Sequence, residues 1–161
     1  MGTRNNKEKS FKEVMAFASR ERKKGKKIVT TNGCFDILHV GHVRSLAAAK
    51  ALGDVLVVGI NSDASVRALK GESRPIVPER ERAEVVASLK PVDAVFIFRE
   101  RDPRKWLAKL KPDFHAKGSD RKISEIIEKE VVERGGGRVV LLSIRKGKST
   151  TNIIKKIQQG K

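Results

Sequence analysis

The run Asp54-Val-Leu-Val-Val-Gly-Ile60 is apolar on both faces of a strand. That pattern belongs to a parallel sheet covered by helices on either side. Four further strand-type runs fall at residues 28–32, 94–98, 113–117 and 138–143, and stretches with apolar residues at helical spacing separate them. Ser10 and Glu13 form a capping box that opens a helix burying Phe11, Val14, Met15 and Ala18, and Gly25 ends it. Further helices are expected from Gly41 to Leu52, Asp63 to Leu69, Pro78 to Leu89 and Ser124 to Arg134. Another opens at Asp102-Pro103 and buries Trp106, Leu107 and Leu110, and Ser149 caps the last. Five strands alternating with helices predict one doubly wound α/β domain, a five-stranded parallel sheet with helices on both faces and right-handed crossovers.

The net charge of +17 is uneven. Residues 1–27 hold ten lysines and arginines against three acids, residues 145–161 six against none, and the stretch between them twenty against sixteen. Residues 1–27 therefore read as a basic helical extension and 28–161 as the domain proper. Basic ends suit nucleic acid or a polyanionic nucleotide. The lack of aromatic interleaving and of a known binding motif argues against nucleic acid as the main partner. No run approaches the ~20 apolar residues of a membrane span, the first residues are polar, and Cys34 is the single cysteine. The expectation is a cytoplasmic protein.

Function concentrates in Asn32-Gly-Cys-Phe-Asp-Ile-Leu-His-Val-Gly-His42. It follows the first strand and opens a helix, where backbone N–H groups hold phosphate. His39 and His42 can donate to a phosphoryl group as charge builds on it, and Gly41 lets backbone approach closely. Three other polar clusters, Asn61-Ser62-Asp63, Lys117-Gly118-Ser119-Asp120 and Gly147–Thr151, also follow strands. Ligands in such sheets bind beyond the strand carboxyl ends, so all four can converge on one site.

Other chemistries fit the spacing poorly. A metal pair at His39 and His42 lacks recognisable further ligands, and no residue is assigned to a metal. Cys34 beside two histidines is a conceivable nucleophile, but it has no visible orienting partner. Gly147-Lys148-Ser149 resembles the end of a P-loop, yet Leu142 stands where that loop needs glycine. Asp36 is either a turn former or a group that orients substrate or a histidine. Lys70 and Arg82, in and just after the one long core loop, are either solvated charges or a lid lysine and a clamp arginine over a triphosphate.

Phe35-Asp36-x-x-His39-x-Gly41-His42, with Ser149-Thr150-Thr151 before the last helix, resembles the nucleotidyltransferases with an HxGH signature over residues 28–158. Within them, residues 31–39, 61–67 and 69–71 look most like the adenylyltransferases that activate glycero-manno-heptose 1-phosphate, with glycerol-phosphate cytidylyltransferase the nearer of the other relatives. The resemblance implies a Rossmann-like enzyme. It would move a nucleotidyl group, AMP from ATP in the first reading, to a sugar 1-phosphate such as heptose 1-phosphate with Mg²⁺ and release pyrophosphate. The alternatives are CTP with glycerol 3-phosphate, or a non-catalytic nucleotide- or nucleic-acid-binding module. It implies His39, His42 and Lys70 as catalytic. Asn32, Gly33, Cys34, Phe35, Gly41, His42, Lys117, Gly118, Asp120, Ser149 and Thr150 would meet the nucleotide, and Asp36, Asn61, Asp63 and Arg82 the substrate. It further implies a homodimer and a separate sugar kinase upstream. The chain departs from these relatives at Ser119-Asp120-Arg121, Ile144-Arg145 and Lys148, which touch the base and acceptor pockets.

Overall fold

A computed structural model describes residues 5–118, 122–143 and 149–160. Strands β1 (Ile28–Gly33), β2 (Val55–Asn61), β3 (Ala94–Phe98), β4 (Phe114–Gly118) and β5 (Arg138–Leu142) form one sheet in the order β3-β2-β1-β4-β5. Every pairing is parallel. The fold class read from the strand pattern is therefore the one observed. The helices are α1 (Phe11–Lys23), α2 (Val40–Lys50), α3 (Asp63–Lys70), α4 (Glu79–Ala87), α5 (Arg104–Leu110), α6 (Lys129–Arg134) and α7 (Thr150–Gln158). Among the described residues no helix is long and apolar enough to cross a membrane.

The period-2 alternation of β2 divides the core into two layers. Val55 and Val57 join Val14 and Ala18 of α1, Trp106 and Leu107 of α5 and Val132 of α6. Leu56, Val58 and Ile60 point the other way, to Leu46 and Ala49 of α2 and to Ala83 and Val86 of α4. Gly59 lies under the aromatic cluster of the first layer, where a Cβ would stand 3.2 Å from both Phe98 and Trp106. A side chain there would force both aromatics to give way by a few tenths of an ångström.

Two expectations change. The basic segment 1–27, as far as it is described, is built into the core. The Val95 amide donates to the Lys7 carbonyl at 2.8 Å and the Lys9 amide to the Val95 carbonyl at 2.9 Å, which covers the free edge of β3. Phe11 of α1 packs on Phe96 with ring centroids 5.3 Å apart. The single helix expected over Ser124–Arg134 is instead a 3-10 turn, Ile123–Glu125, and the short α6, with Ile126 extended between them (φ −87°, ψ 103°). Burial decides this: Ile126 enters the core and Glu128 is only 5% exposed, while Ile123 and Ile127 face outward. A continuous helix serves a single stripe, and tertiary packing overrides it here.

Candidate active site

β1 pairs with β2 on one side and β4 on the other. The chain leaves β1 towards α2 on one face and leaves β4 towards α6 on the other. The connections part at this point, and a crevice opens beyond the strand ends, the usual ligand position in an open α/β sheet. The turn between β1 and α2 stands at its mouth.

His39 is the N-cap of α2, in extended conformation (φ −137°, ψ 169°), and its Nδ1 accepts from the Gly41 amide at 3.1 Å. The Nδ1 of His42 accepts from the His39 amide at 3.3 Å. The rings stack with centroids 3.9 Å apart, and Phe35 packs on His42 at 5.2 Å. An Nδ1 that accepts from an amide carries no proton, so in the neutral ring the proton resides on Nε2. Burial, reinforced by the nearby charges of His39 and Lys70, pulls His42 down to about 4. At neutral pH it is an uncharged Nε2–H donor. Capping the helix and presenting a donor to the crevice are thus two uses of one ring.

Phe35 adopts a left-handed backbone (φ 48°) that side chains seldom take. A Cβ on Gly33 would meet its ring at 3.0 Å. Glycine at 33 is therefore what lets Phe35 fold back against His42. Cys34 is half-buried, and burial raises its thiol above the ordinary value. A protonated thiol is a poor nucleophile.

Long-range ties fix the turn. Asp36, 4% exposed, accepts from the amides of Ile76 (2.9 Å) and Val77 (2.9 Å) and pairs with Arg74 at 2.6 Å. Burial alone would raise its carboxyl. The two amides and Arg74 outweigh burial and hold it below the ordinary range. Arg82 is 1% exposed. It donates to the carbonyls of Val77 (2.8 Å), Asn61 (2.8 Å) and Cys34, and to Asp63 Oδ1 at 2.8 Å. In this structure Asp36 and Arg82, read from the sequence as substrate-side groups, are both bonded to protein partners and stitch residues 74–82 to the histidine turn. The reason is tertiary burial, which a loop position in the sequence does not disclose.

The other site residues divide. Lys70 ends α3, is exposed, and its charge reaches His42 and Cys34. Ser149 caps α7 by accepting from the Asn152 amide at 3.1 Å, which leaves its O–H to donate. The Thr150 hydroxyl instead donates to the Ile37 carbonyl at 3.0 Å, tying α7 to the histidine turn. Asn61 donates to Ser65 Oγ at 3.0 Å. Lys117 joins Asn32 Oδ1 at 3.0 Å and Glu128 at 2.6 Å. Asp120, with the divergent positions 119, 121, 144, 145 and 148, lies outside the described residues. The third histidine, His115, is buried in β4 with Nδ1 2.8 Å from Thr30 Oγ1.

Sequence reasoning missed three residues: Arg74, Arg101 and Glu128. Arg101, Asn61, Asn32, Lys117 and Glu128 line a cavity of roughly 330 Å³ between the ends of β1, β2 and β4. Asn32, Asn61 and Lys117-Gly118, from the clusters after β1, β2 and β4, do converge, and Thr150 brings the start of α7 to the same turn.

Comparison with known proteins bears on this geometry. A family model described as cytidylyltransferase-like matches residues 30–156. The bifunctional protein HldE of Citrifermentans bemidjiense is 53% identical over 146 residues, 90% of this chain and 30% of that protein. HldE of Geobacter metallireducens is 56% identical over 137 residues, 85% of this chain and 28% of that protein. The chain thus spans about 30% of the length of these curated relatives. The lipopolysaccharide core biosynthesis protein from Thermoplasma volcanium superposes with a TM-score of 0.66 at 33% identity, over 76% of this chain and all of that one. Pantoate-beta-alanine ligase from Francisella tularensis superposes at 0.63 with 15% identity, over 90% of this chain and 71% of that one, and so shares the fold. The match along nearly the whole domain, with the histidine pair set at the mouth of the crevice, makes this chain a member of the cytidylyltransferase-like family and a nucleotidyltransferase.

Proposed function

We propose that the protein transfers AMP from ATP to a sugar 1-phosphate such as heptose 1-phosphate and releases pyrophosphate. The observation that carries this reading is the stacked His39–His42 pair, with both Nδ1 atoms used inside the helix cap. An acceptor phosphate oxygen attacks the α-phosphorus of ATP, the bond to the bridging oxygen breaks, and pyrophosphate leaves with that electron pair. Such transfers need positioning and charge stabilisation more than a covalent nucleophile. The neutral Nε2–H of His42, at the start of α2, meets the charge that develops on the α-phosphate. The Ser149 hydroxyl and the first amides of α7 receive the outer phosphates, and Lys70 closes over them from the end of α3.

Mg²⁺ enters with the triphosphate. Among the described residues no three His, Cys, Asp or Glu side chains are grouped to hold one ion, and Mg²⁺ commonly keeps substrate phosphates and water as its ligands. A sugar kinase supplies the phosphorylated acceptor.

The family description keeps a second reading in play, CTP with glycerol 3-phosphate. Pyrophosphate release measured for ATP and CTP, each with heptose 1-phosphate and with glycerol 3-phosphate, decides between them. ATP with heptose 1-phosphate is expected to be fastest. A dominant CTP and glycerol 3-phosphate pair replaces the first reading with the second, and silence in all four overturns both.

A further inference from the structure

The cavity between the ends of β1, β2 and β4 has a lining that the sequence did not foretell. Lys117 reaches across it from β4 to Asn32, the residue before Gly33 and the histidine turn. Its ammonium has three donors; Asn32 Oδ1 accepts from one at 3.0 Å, and Glu128 forms an ion pair with the group at 2.6 Å. Glu128, held at the break between the 3-10 turn and α6, is nearly buried, and one of its oxygens meets Lys117. The other oxygen accepts from no described residue. Arg101 is exposed on the rim and has no acidic partner among the described residues. Asn61 uses its amide on Ser65 and keeps its carbonyl oxygen for the cavity.

This set of groups is selective. A nucleobase wants a π-face to stack on, worth ~1–3 kcal/mol, and no aromatic side chain of the described residues lines the cavity. A polyhydroxy compound wants carboxylate and carboxamide oxygens for its hydroxyl protons. A phosphate wants cations with free N–H groups. The volume of roughly 330 Å³ sits at the small end of the ~300–1,000 Å³ of ligand pockets, too small for an entire nucleoside triphosphate.

We propose that this cavity is the acceptor pocket and takes a phosphorylated polyhydroxy compound, with Glu128 and Asn61 holding its hydroxyls and Lys117 and Arg101 its phosphate. The proposal rests on the nucleotidyl-transfer reading above and reassigns Lys117 from nucleotide to acceptor. The bond from Lys117 to Asn32 sets a phosphate held by Lys117 next to the histidine turn, where it must stand to attack the α-phosphorus.

The test is direct binding to the full chain. Heptose 1-phosphate and inorganic phosphate are titrated in the presence of a non-hydrolysable ATP analogue, and the analogue is titrated by itself. Glu128→Gln keeps the shape and removes the charge. It is expected to weaken heptose 1-phosphate about tenfold or more while analogue affinity stays within about twofold. Arg101→Ala, on the exposed rim, tests the pocket even where Glu128→Gln fails to fold. It is expected to weaken heptose 1-phosphate and inorganic phosphate together, about fivefold. Loss of analogue affinity with sugar phosphate affinity intact gives the cavity to the nucleotide and overturns the proposal. Wild-type sugar phosphate affinity in both variants overturns it too, as does a wild-type chain that binds no sugar phosphate. Pyrophosphate release reads the reaction separately. Variants that lose sugar phosphate affinity in a chain that releases none uphold the pocket and sink the reaction. Release with an unchanged acceptor KM in both variants does the reverse.

Discussion

The two banks of the crevice are built differently. On the β1–α2 bank the charges that hold the site are inside the protein. Asp36 and Arg82 are 4% and 1% exposed, and, apart from the Val77 carbonyl that Arg82 meets, their partners lie 19 or more residues away in sequence. On the β4–α6 bank Lys117 keeps 22% of its side chain exposed and spans the gap with one ion pair and one hydrogen bond. The first bank fixes its groups before any ligand arrives, as stabilising a developing charge requires. The second leaves donors and acceptors open, as choosing a ligand requires. Substitutions on the first bank are thus expected to strike rate and stability, and those on the second to strike affinity.

The largest effect is expected at His42. Removing one well-placed donor costs about 10²–10³ in rate, so His42→Ala is expected to lower kcat by at least that order. Its thermal midpoint stays near wild type. Near-normal turnover breaks the assignment. The ring itself gives a second check by NMR titration. A midpoint near 4 is expected, so the neutral donor persists across the physiological range. A midpoint near 6.5 would make it a charged group and change the mechanism.

Arg82→Met comes next. It leaves three carbonyls and the partly exposed Asp63 without their donor. Losing these hydrogen bonds from a buried guanidinium costs about 3–5 kcal/mol, or a fall of about 10 °C or more in Tm. Activity is expected to fall with stability, because the Cys34 carbonyl belongs to the phosphate turn. A stable, inactive variant whose ATP affinity has collapsed would restore Arg82 to the ligand.

These banks were unequally legible in the sequence. The histidine turn could be read because its chemistry is local: His39 and His42 are three residues apart, at a strand-to-helix junction, and the helix geometry does the rest. The sheet could be read because β2 is apolar on both faces. Asp36 and Arg82 were legible as charges near the site but not as buried ones, since burial depends on which loop folds over which. Glu128 was hidden for a related reason. The periodicity of residues 124–134 suits a helix, and only the packing of Ile126 into the core breaks that helix and turns Glu128 towards Lys117.

A smaller effect is expected for Asp36→Asn. The exchange keeps one acceptor for the Ile76 and Val77 amides but loses the charge that pairs with Arg74, at a cost of about 2 kcal/mol at neutral pH. The folded carboxyl titrates below its ordinary value of about 4. Its stabilising share is therefore complete above that value and disappears as pH falls through the lower, folded one. Stability curves of the two proteins are expected to run apart at pH 7 and converge on acidification. A gap that stays constant down to acid pH would mean that the Asp36 charge does not hold the loop.

Thr150→Val should have the smallest effect and the sharpest bearing on how the banks are joined. Its hydroxyl has one proton, and that proton goes to the Ile37 carbonyl. The exchange is expected to cost about 1 kcal/mol, or roughly 2–4 °C in Tm, and to move the KM for ATP less than about threefold, because the amides at the start of α7 survive. Ser149→Ala provides the contrast. It removes an N-cap at a similar cost of about 1 kcal/mol and also a free O–H, so its KM for ATP should rise further than that of Thr150→Val. If Thr150→Val instead raises the KM for ATP more than Ser149→Ala and leaves Tm unchanged, the Thr150 hydroxyl serves the phosphates, and α7 is then held to the histidine turn by the ligand rather than by the protein.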